Sequence, residues 1–119
     1  MTKPDATSRD MDNIVIVESP YAGAIERNMV YARRAMHDCF QKGETPFASH
    51  LIYTQPGILD DGNPVERRTG IEAGYKFWTL CKHIAFYADY GWSSGMVAAK
   101  HRAEQLGYLF EERRIGENR

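Results

Sequence analysis

Residues 13–23 read NIVIVESPYAG, and how this stretch is read decides the fold. Ile14, Val15, Ile16 and Val17 form an unbroken β-branched run without polar alternation, the pattern of a strand covered on both faces in a parallel sheet. Pro20 and Gly23 then break the run. Immediately afterwards, between Ala24 and Lys42, Ile25, Met29, Ala32, Met36 and Phe40 recur at helical spacing. Glu26, Arg27, Arg33, Arg34 and Asp38 fall mostly between them, and Gly43 is the expected stop.

Working outward, TPFASHLIY (45–53) predicts a second, shorter strand running into a loop. TQPGILDDGNP (54–64) has the proline, glycine and aspartate density of a surface excursion, and connections that long are often functional. VERRTGIEAGYKFWTLC (65–81) predicts a second helix with Ile71, Tyr75, Trp78 and Leu80 on one stripe. Gly70 and Gly74 cost that helix about 1 kcal/mol each relative to alanine. Spaced four apart, they serve either tight helix packing or the close approach of a ligand. HIAFYA (83–88) is the third strand, SSGMVAAKHRAEQLG (93–107) the third helix and YLFEE (108–112) the fourth strand. The alternation implies an α/β fold: a parallel sheet with right-handed crossovers and helices on both faces.

At 119 residues the chain has room for one hydrophobic core and no second. The expected division is a polar tail over 1–12, a single α/β domain over 13–112 and a charged tail over 113–119. A formal charge of −1 argues against long nucleic acid as a partner, although a single phosphate needs only a local nest of donors. Cys39 and Cys81 lack CxxC spacing and read as reduced core residues. His37, His50, His83 and His101 share no ligand spacing, so no metal is expected. No apolar run approaches the ~20 residues of a membrane helix, and the opening lacks a signal-peptide core, so a cytoplasmic protein without a membrane partner is expected.

In an open parallel sheet, ligands bind outside the carboxyl ends of the strands. Two turns there are rich in small residues: ESPYAG after the first strand and DYGWSSG after the third. Ser19, Tyr21 and Gly23, with Ser93, Ser94 and Gly95, supply hydroxyls and backbone N–H groups near helix N-termini, the makings of an anion cradle. The same residues are equally good helix caps. Arg27 and Asn28 lie about one turn into the first helix, where a guanidinium can fork a phosphate or carboxylate. His50 sits near a strand end, as either a ligand contact or a structural histidine. Asp60 and Asp61, with Glu66 and Arg67, form a charged cluster suited to a sugar hydroxyl or simply to a turn. Neither a GxGxxG fingerprint, a Walker motif nor a GxSxG elbow is present, and no cofactor is expected.

IVIVESPYAG, ERNMVYARRA, TPFASHLIY, LDDGNPVERRTGIEAG and SSGMVAAKHRAEQLG together resemble a small domain family frequent in phage and bacterial genomes. That family is related to the nucleoside 2-deoxyribosyltransferases and nucleoside-monophosphate N-glycosidases. The resemblance spans about Ile14 to Phe110 and rests chiefly on the SPY-G and SxGM turns. It implies a Rossmann-like three-layer sandwich with a small, mainly parallel sheet, assembled as a homodimer or higher homo-oligomer. Its setting would be bacterial cytoplasm, or host cytoplasm if phage-encoded.

The activity implied is on the base–sugar bond of a nucleoside or nucleotide, by N-glycosidase or deoxyribosyltransferase chemistry. A carboxylate captures an oxocarbenium-like centre, as in retaining glycoside hydrolysis. Matched residue by residue, Ser19, Tyr21, Ala22 and Gly23, with Arg27 and Asn28, fall in the loop around sugar and phosphate, Tyr21 among the catalytic positions. His50 and Asp61 belong to the same expected ligand set, and Ser94, Gly95 and Met96 form the second turn. The family's last motif reads like SxGMxxE, with the glutamate as nucleophile, and the matching residue here is Ala99. Gly74 stands near where a second carboxylate falls in some relatives. Either a parental glutamate at 99 was replaced, leaving a nucleophile-null variant, or the chain is a non-catalytic nucleotide-binding protein that sequesters or senses its ligand. A third reading is an interaction domain that uses Tyr75, Trp78 and Trp92 at a subunit interface.

Overall fold

The computed structural model describes residues 13–81 and 83–116; the expected tail over 1–12 and the end of the chain beyond 116 lie outside them. In chain order the elements are β1 (Ile14–Glu18), α1 (Ile25–Gln41), β2 (Thr45–Phe47), α2 (Ser49–Ile52), α3 (Pro64–Lys76), a 3-10 turn (Phe77–Leu80), β3 (His83–Tyr87), α4 (Ser94–Leu106) and β4 (Leu109–Arg113). The four strands make one sheet in the order β2-β1-β3-β4, and every pairing is parallel. This is an α/β fold consistent with a Rossmann-like sandwich. The chain steps from β1 outward to β2, then crosses back over β1 to β3. The order therefore reverses between β1 and β3, the place where an open sheet leaves a crevice at its carboxyl edge.

The β-branched run behaves as its pattern implies. Val15 and Val17 pack on one face with Tyr31, Ala35 and Cys39 of α1. Ile16 packs on the other with Trp78, Met96, Ala99 and Ala103. Both faces are thus covered, and the strand has no solvent side. Fully burying one such side chain contributes about 1.5–3 kcal/mol.

Several local readings shift. The buried stripe of α1 is Asn28, Tyr31, Ala32, Ala35 and Cys39, turned away from the expected one, and Ile25 and Phe40 are exposed. The small residues win because they let α1 close on the sheet, and the Tyr31 hydroxyl donates to Asp89 Oδ1 at 2.6 Å. The expected second strand stops at Phe47, and His50 lies on a one-turn helix. That turn is closed by Leu51 N–H to Ala48 O and Tyr53 N–H to Ser49 O. Pro46 is tolerated in β2 because this strand is at the sheet edge and pairs only with β1.

Helix α3 starts at Pro64 behind Asn63, whose side chain accepts from the backbone N–H of Val65 and Glu66, an N-cap followed by proline at the first position. Its expected stripe is only partly buried: Trp78, on the 3-10 turn, is in the core while Ile71 and Leu80 are exposed. Arg113 is the last residue of β4 and only 8% exposed, so the domain runs at least one residue past the expected boundary at 112. Cys39 and Cys81 are buried and free. Among the described residues, no helix is long and apolar enough to cross a membrane, and no cluster of three or more His, Cys, Asp or Glu could hold a metal ion.

Candidate functional site

A cavity of about 190 Å³ opens where the strand order reverses, walled by the end of β1 and the turn after it, by α2 and α3, and by the start of α4. A void of about 150 Å³ suffices for a benzene ring, so this one takes a ring-sized organic molecule.

Its floor is Glu18, the last residue of β1. Side chains alternate across a strand, and with Val15 and Val17 facing α1, Glu18 follows Ile16 to the face covered by α4. Phe86 is its register partner on β3. Among the described residues, no hydrogen bond or ion pair engages its carboxyl. Such surface as Glu18 exposes opens into the cavity, and burial pushes its pKa from the ordinary 4.5 up to about 8. At neutral pH it is therefore mostly a carboxylic acid, with one O–H donor and an acceptor oxygen.

Beside it stands a second shifted group. His50 on α2 lines the cavity, and burial lowers its pKa from 6.5 to about 4, which keeps the ring neutral at physiological pH. Ser19 Oγ lies 2.7 Å from His50 Nε2. The Tyr21 ring meets the imidazole edge-on, with centroids 6.5 Å apart and planes at 82°. The turn that carries Ser19 and Tyr21 is held by Asn28, whose Nδ2 donates to the carbonyls of Tyr21 and Ala22.

The wall from α3 is shaped by its glycines. A Cβ on Gly74 would lie 2.6 Å from Ser49 Oγ, and one on Gly70 would lie 3.2 Å from Leu59 Cδ1. Both residues line the cavity, so packing of α2 on α3 and access for a ligand depend on the same two positions. Asp61, at the rim, is paired with Arg67 at 3.1 Å. Glu66 Oε1 accepts from the Asp60 N–H at 2.7 Å. On the α4 side, Ser93 caps the helix by accepting from the Met96 N–H at 3.2 Å, and Gly95, Met96 and Ala98 complete the wall.

The sequence-derived residues divide accordingly. Ser19, Tyr21, His50, Asp61, Gly95 and Met96 meet at the cavity. Ala22 and Gly23 line a shallower groove on the other side of Tyr21 and Asp61. Arg27 is not in the cavity wall: its guanidinium donates to Asn28 Oδ1 and lies 3.9 Å from the centre of the Tyr90 ring. Asn28 is 1% exposed and holds the turn. Ser94 is not among the lining residues, whereas its neighbour Ser93 is. Ala99 is 1% exposed and packs in the core with Met96 and Ala103, while its neighbour Ala98 faces the cavity. A glutamate side chain at 99 would thus enter the core. Glu18 was missed, although its signal was in plain view: an acid closing a run that is otherwise apolar on both faces.

With this geometry established, comparison with known families gives one match. The model of a family described as a domain of unknown function (DUF7768) matches residues 13–113. The chain belongs to this family. The matched region runs from the residue before β1 to the last residue of β4, so the family unit and the sheet coincide. No curated protein and no solved structure gives a significant match.

Proposed function

We propose that the cavity takes a nucleoside or nucleotide and acts on its base–sugar bond, as an N-glycosidase or deoxyribosyltransferase-like domain. The observation that carries the reading is the Glu18 carboxyl, without a partner among the described residues, on the floor of a ring-sized cavity at the switch point of a parallel sheet. Carboxyl groups with raised pKa values in clefts are favoured candidates for proton transfer. In this reading the bond from the sugar's anomeric carbon to the base breaks, its electron pair leaves with the base, and the base takes the Glu18 proton. Water then bonds the anomeric carbon and gives up a proton that restores the acid. The α4 N-terminus, with the Gly95 backbone at the cavity wall, offers its positive dipole end to a phosphate or to sugar oxygens. The free cysteines are compatible with the cytoplasmic setting that such metabolites imply, and a homo-oligomer remains part of the proposal.

The test is incubation of the purified chain with nucleosides, their 5′-monophosphates and NAD, with free base followed by chromatography. Base release that disappears in Glu18→Gln supports the reading.

A second reading, a module that binds the nucleotide without cleaving it, is favoured by one observation. The other cavity carboxylates are already engaged, Asp61 by Arg67 and Glu66 by a backbone N–H, and α4 presents an alanine, Ala98, to the cavity. That reading predicts ligand-dependent stabilisation of RT ln(1 + [L]/Kd), about 2.7 kcal/mol at a hundredfold excess over Kd, with no base released.

A further inference from the structure

We propose that Glu18 grips its ligand as a neutral carboxylic acid, selecting a ring that presents an acceptor nitrogen beside an amino donor, and that ionisation of Glu18 releases the ligand. The inference rests on the nucleoside reading above and adds the part of the ligand that is recognised and the condition under which it is held.

The carboxyl shares its cavity wall with its own loop and three helical segments. From its own loop come Ser19 and Tyr21, and from α2 come Ser49, His50 and Tyr53. From α3 come Glu66, Arg67, Gly74 and Tyr75, and from α4 and its cap only Ser93, Gly95, Met96 and Ala98. Among the described residues, the one cation in the wall is Arg67, already bound to Asp61 at the rim. Arg102 lies 4.3 Å from the centre of the Tyr75 ring, outside the lining. His50 is held neutral by burial, and the Tyr75 phenol is pushed up by burial and, to a lesser degree, by Glu18 itself. Among the described residues, no element packed against Glu18 supplies a positive charge to favour the carboxylate.

A neutral carboxyl in that position offers two things side by side, an O–H donor and a carbonyl acceptor. The complementary partner is an acceptor next to a donor in one plane, which is the amidine edge of adenine or cytosine, with its ring nitrogen beside the exocyclic amine. Once ionised, the group has only acceptor oxygens, one of which would face the ring nitrogen's lone pair. The paired bond is then lost and a repulsion replaces it. The Tyr21 ring and the small residues at 70 and 74 leave flat, largely apolar walls for the ring faces.

Adenosine and cytidine are suitable probes because their bases do not titrate across the alkaline range used. Binding would be measured by calorimetry at pH about 6.5 and about 9.5, for the wild type, Glu18→Gln and Glu18→Ala. Only the protonated fraction binds, so the apparent Kd of the wild type rises about 30-fold between the two conditions for a midpoint near 8. Glu18→Gln, whose amide keeps a donor beside an acceptor, binds with no such change, and Glu18→Ala binds weakly at both.

In parallel, carbon-13 NMR of the Glu18 carboxyl follows its midpoint near 8 in the free protein and its upward movement with adenosine or cytidine bound. Nucleoside binding that is flat or stronger at alkaline pH, or Glu18→Gln behaving as Glu18→Ala, overturns this inference and leaves the nucleoside reading standing. No binding by any nucleoside or 5′-monophosphate in any variant overturns both.

Discussion

Buried charge sits on both faces of this sheet, and the two faces treat it in opposite ways. On the side toward α1, Arg113 donates to both oxygens of Glu44 at 2.7 and 2.6 Å and to Glu111 at 2.6 Å. It also reaches the Tyr87 hydroxyl at 3.1 Å, and that hydroxyl donates to Asp38 at 2.7 Å. Glu44 raises the guanidinium pKa still further, and Arg113 in turn holds the Glu44 carboxyl below its ordinary range. On the side toward α4, Glu18 ends its strand with no hydrogen-bond or ion-pair partner among the described residues and answers burial by keeping its proton. The pairing on one face is architecture; on the proposed reading, the open carboxyl on the other face is completed by a ligand.

The sharpest break of this contrast is Ala99→Glu. If the α4 face simply tolerated carboxyls, a glutamate at 99 would be accommodated, but Ala99 is 1% exposed among Met96, Ala103 and the sheet. Overpacking plus an unpaired buried carboxyl should cost about 5 kcal/mol, read as loss of the folded baseline in urea titration. Ala98→Glu, one residue earlier and facing the cavity, should cost less than about 1 kcal/mol. Equal tolerance of the two variants would return position 99 to the list of catalytic candidates.

Next in size is Arg113→Met, which removes the cation and strands Glu44. A loss of about 3–4 kcal/mol is expected, mostly recovered when Glu44→Leu is added, because the penalty lies in the orphaned charge rather than in the missing pair. A double variant no better than the single one would show that the network acts through packing of the arginine stem.

Glu18→Gln inverts the usual sign. The folded pKa of Glu18, about 8, lies above its ordinary 4.5, so between those values the folded state holds a proton that the unfolded chain has released. Stability is therefore lost as pH rises through this window, and below about 4.5 the group is neutral in its effect. The shift sets a ceiling near 5 kcal/mol. With part of the group open to the cavity, Glu18→Gln should gain roughly 2 kcal/mol over the wild type at pH 9 and nothing at pH 4. His50 works in the other direction: with its pKa lowered to about 4, stability falls as pH drops from 6.5 toward 4, so the two groups together favour mildly acidic conditions. A Glu18→Gln advantage independent of pH would mean that its carboxyl is not the titrating group.

The same contrast explains what the sequence revealed. The strand–helix alternation and the two small-residue turns were legible because periodicity and turn chemistry are local, and they place Ser19, Tyr21, Gly95 and Met96 at one cavity. His50 lines the cavity, but from a one-turn helix rather than the expected strand end, since four residues closing a single turn leave no periodic trace. The rotation of the α1 stripe followed from close approach to the sheet, which favours Ala32, Ala35 and Cys39 over larger side chains. Glu18 and Ala99 are the instructive pair. The resemblance to a family with an SxGMxxE motif draws attention to 99, whereas the partner count of each carboxyl, a property of three-dimensional packing, draws it to 18.

The smallest effect tests the wall rather than the floor. Gly74→Ala places a methyl 2.6 Å from Ser49 Oγ and 3.0 Å from Ser49 Cβ. The hydroxyl can rotate away, but Cβ moves only with α2 and therefore with His50. The expected loss is about 1–2 kcal/mol, since the gain in helix propensity of about 1 kcal/mol offsets part of the strain. Gly70→Ala meets only the tip of Leu59 at 3.2 Å, which can swing aside, so the propensity gain should dominate and leave the chain unchanged or slightly more stable. Because both residues line the cavity, the pair separates two roles that one helix face combines. A Gly70→Ala variant of normal stability but weakened ligand affinity would assign that glycine to the ligand. A Gly74→Ala variant that loses both together would assign the other to the seating of α2, and with it to the position of His50 beside Glu18.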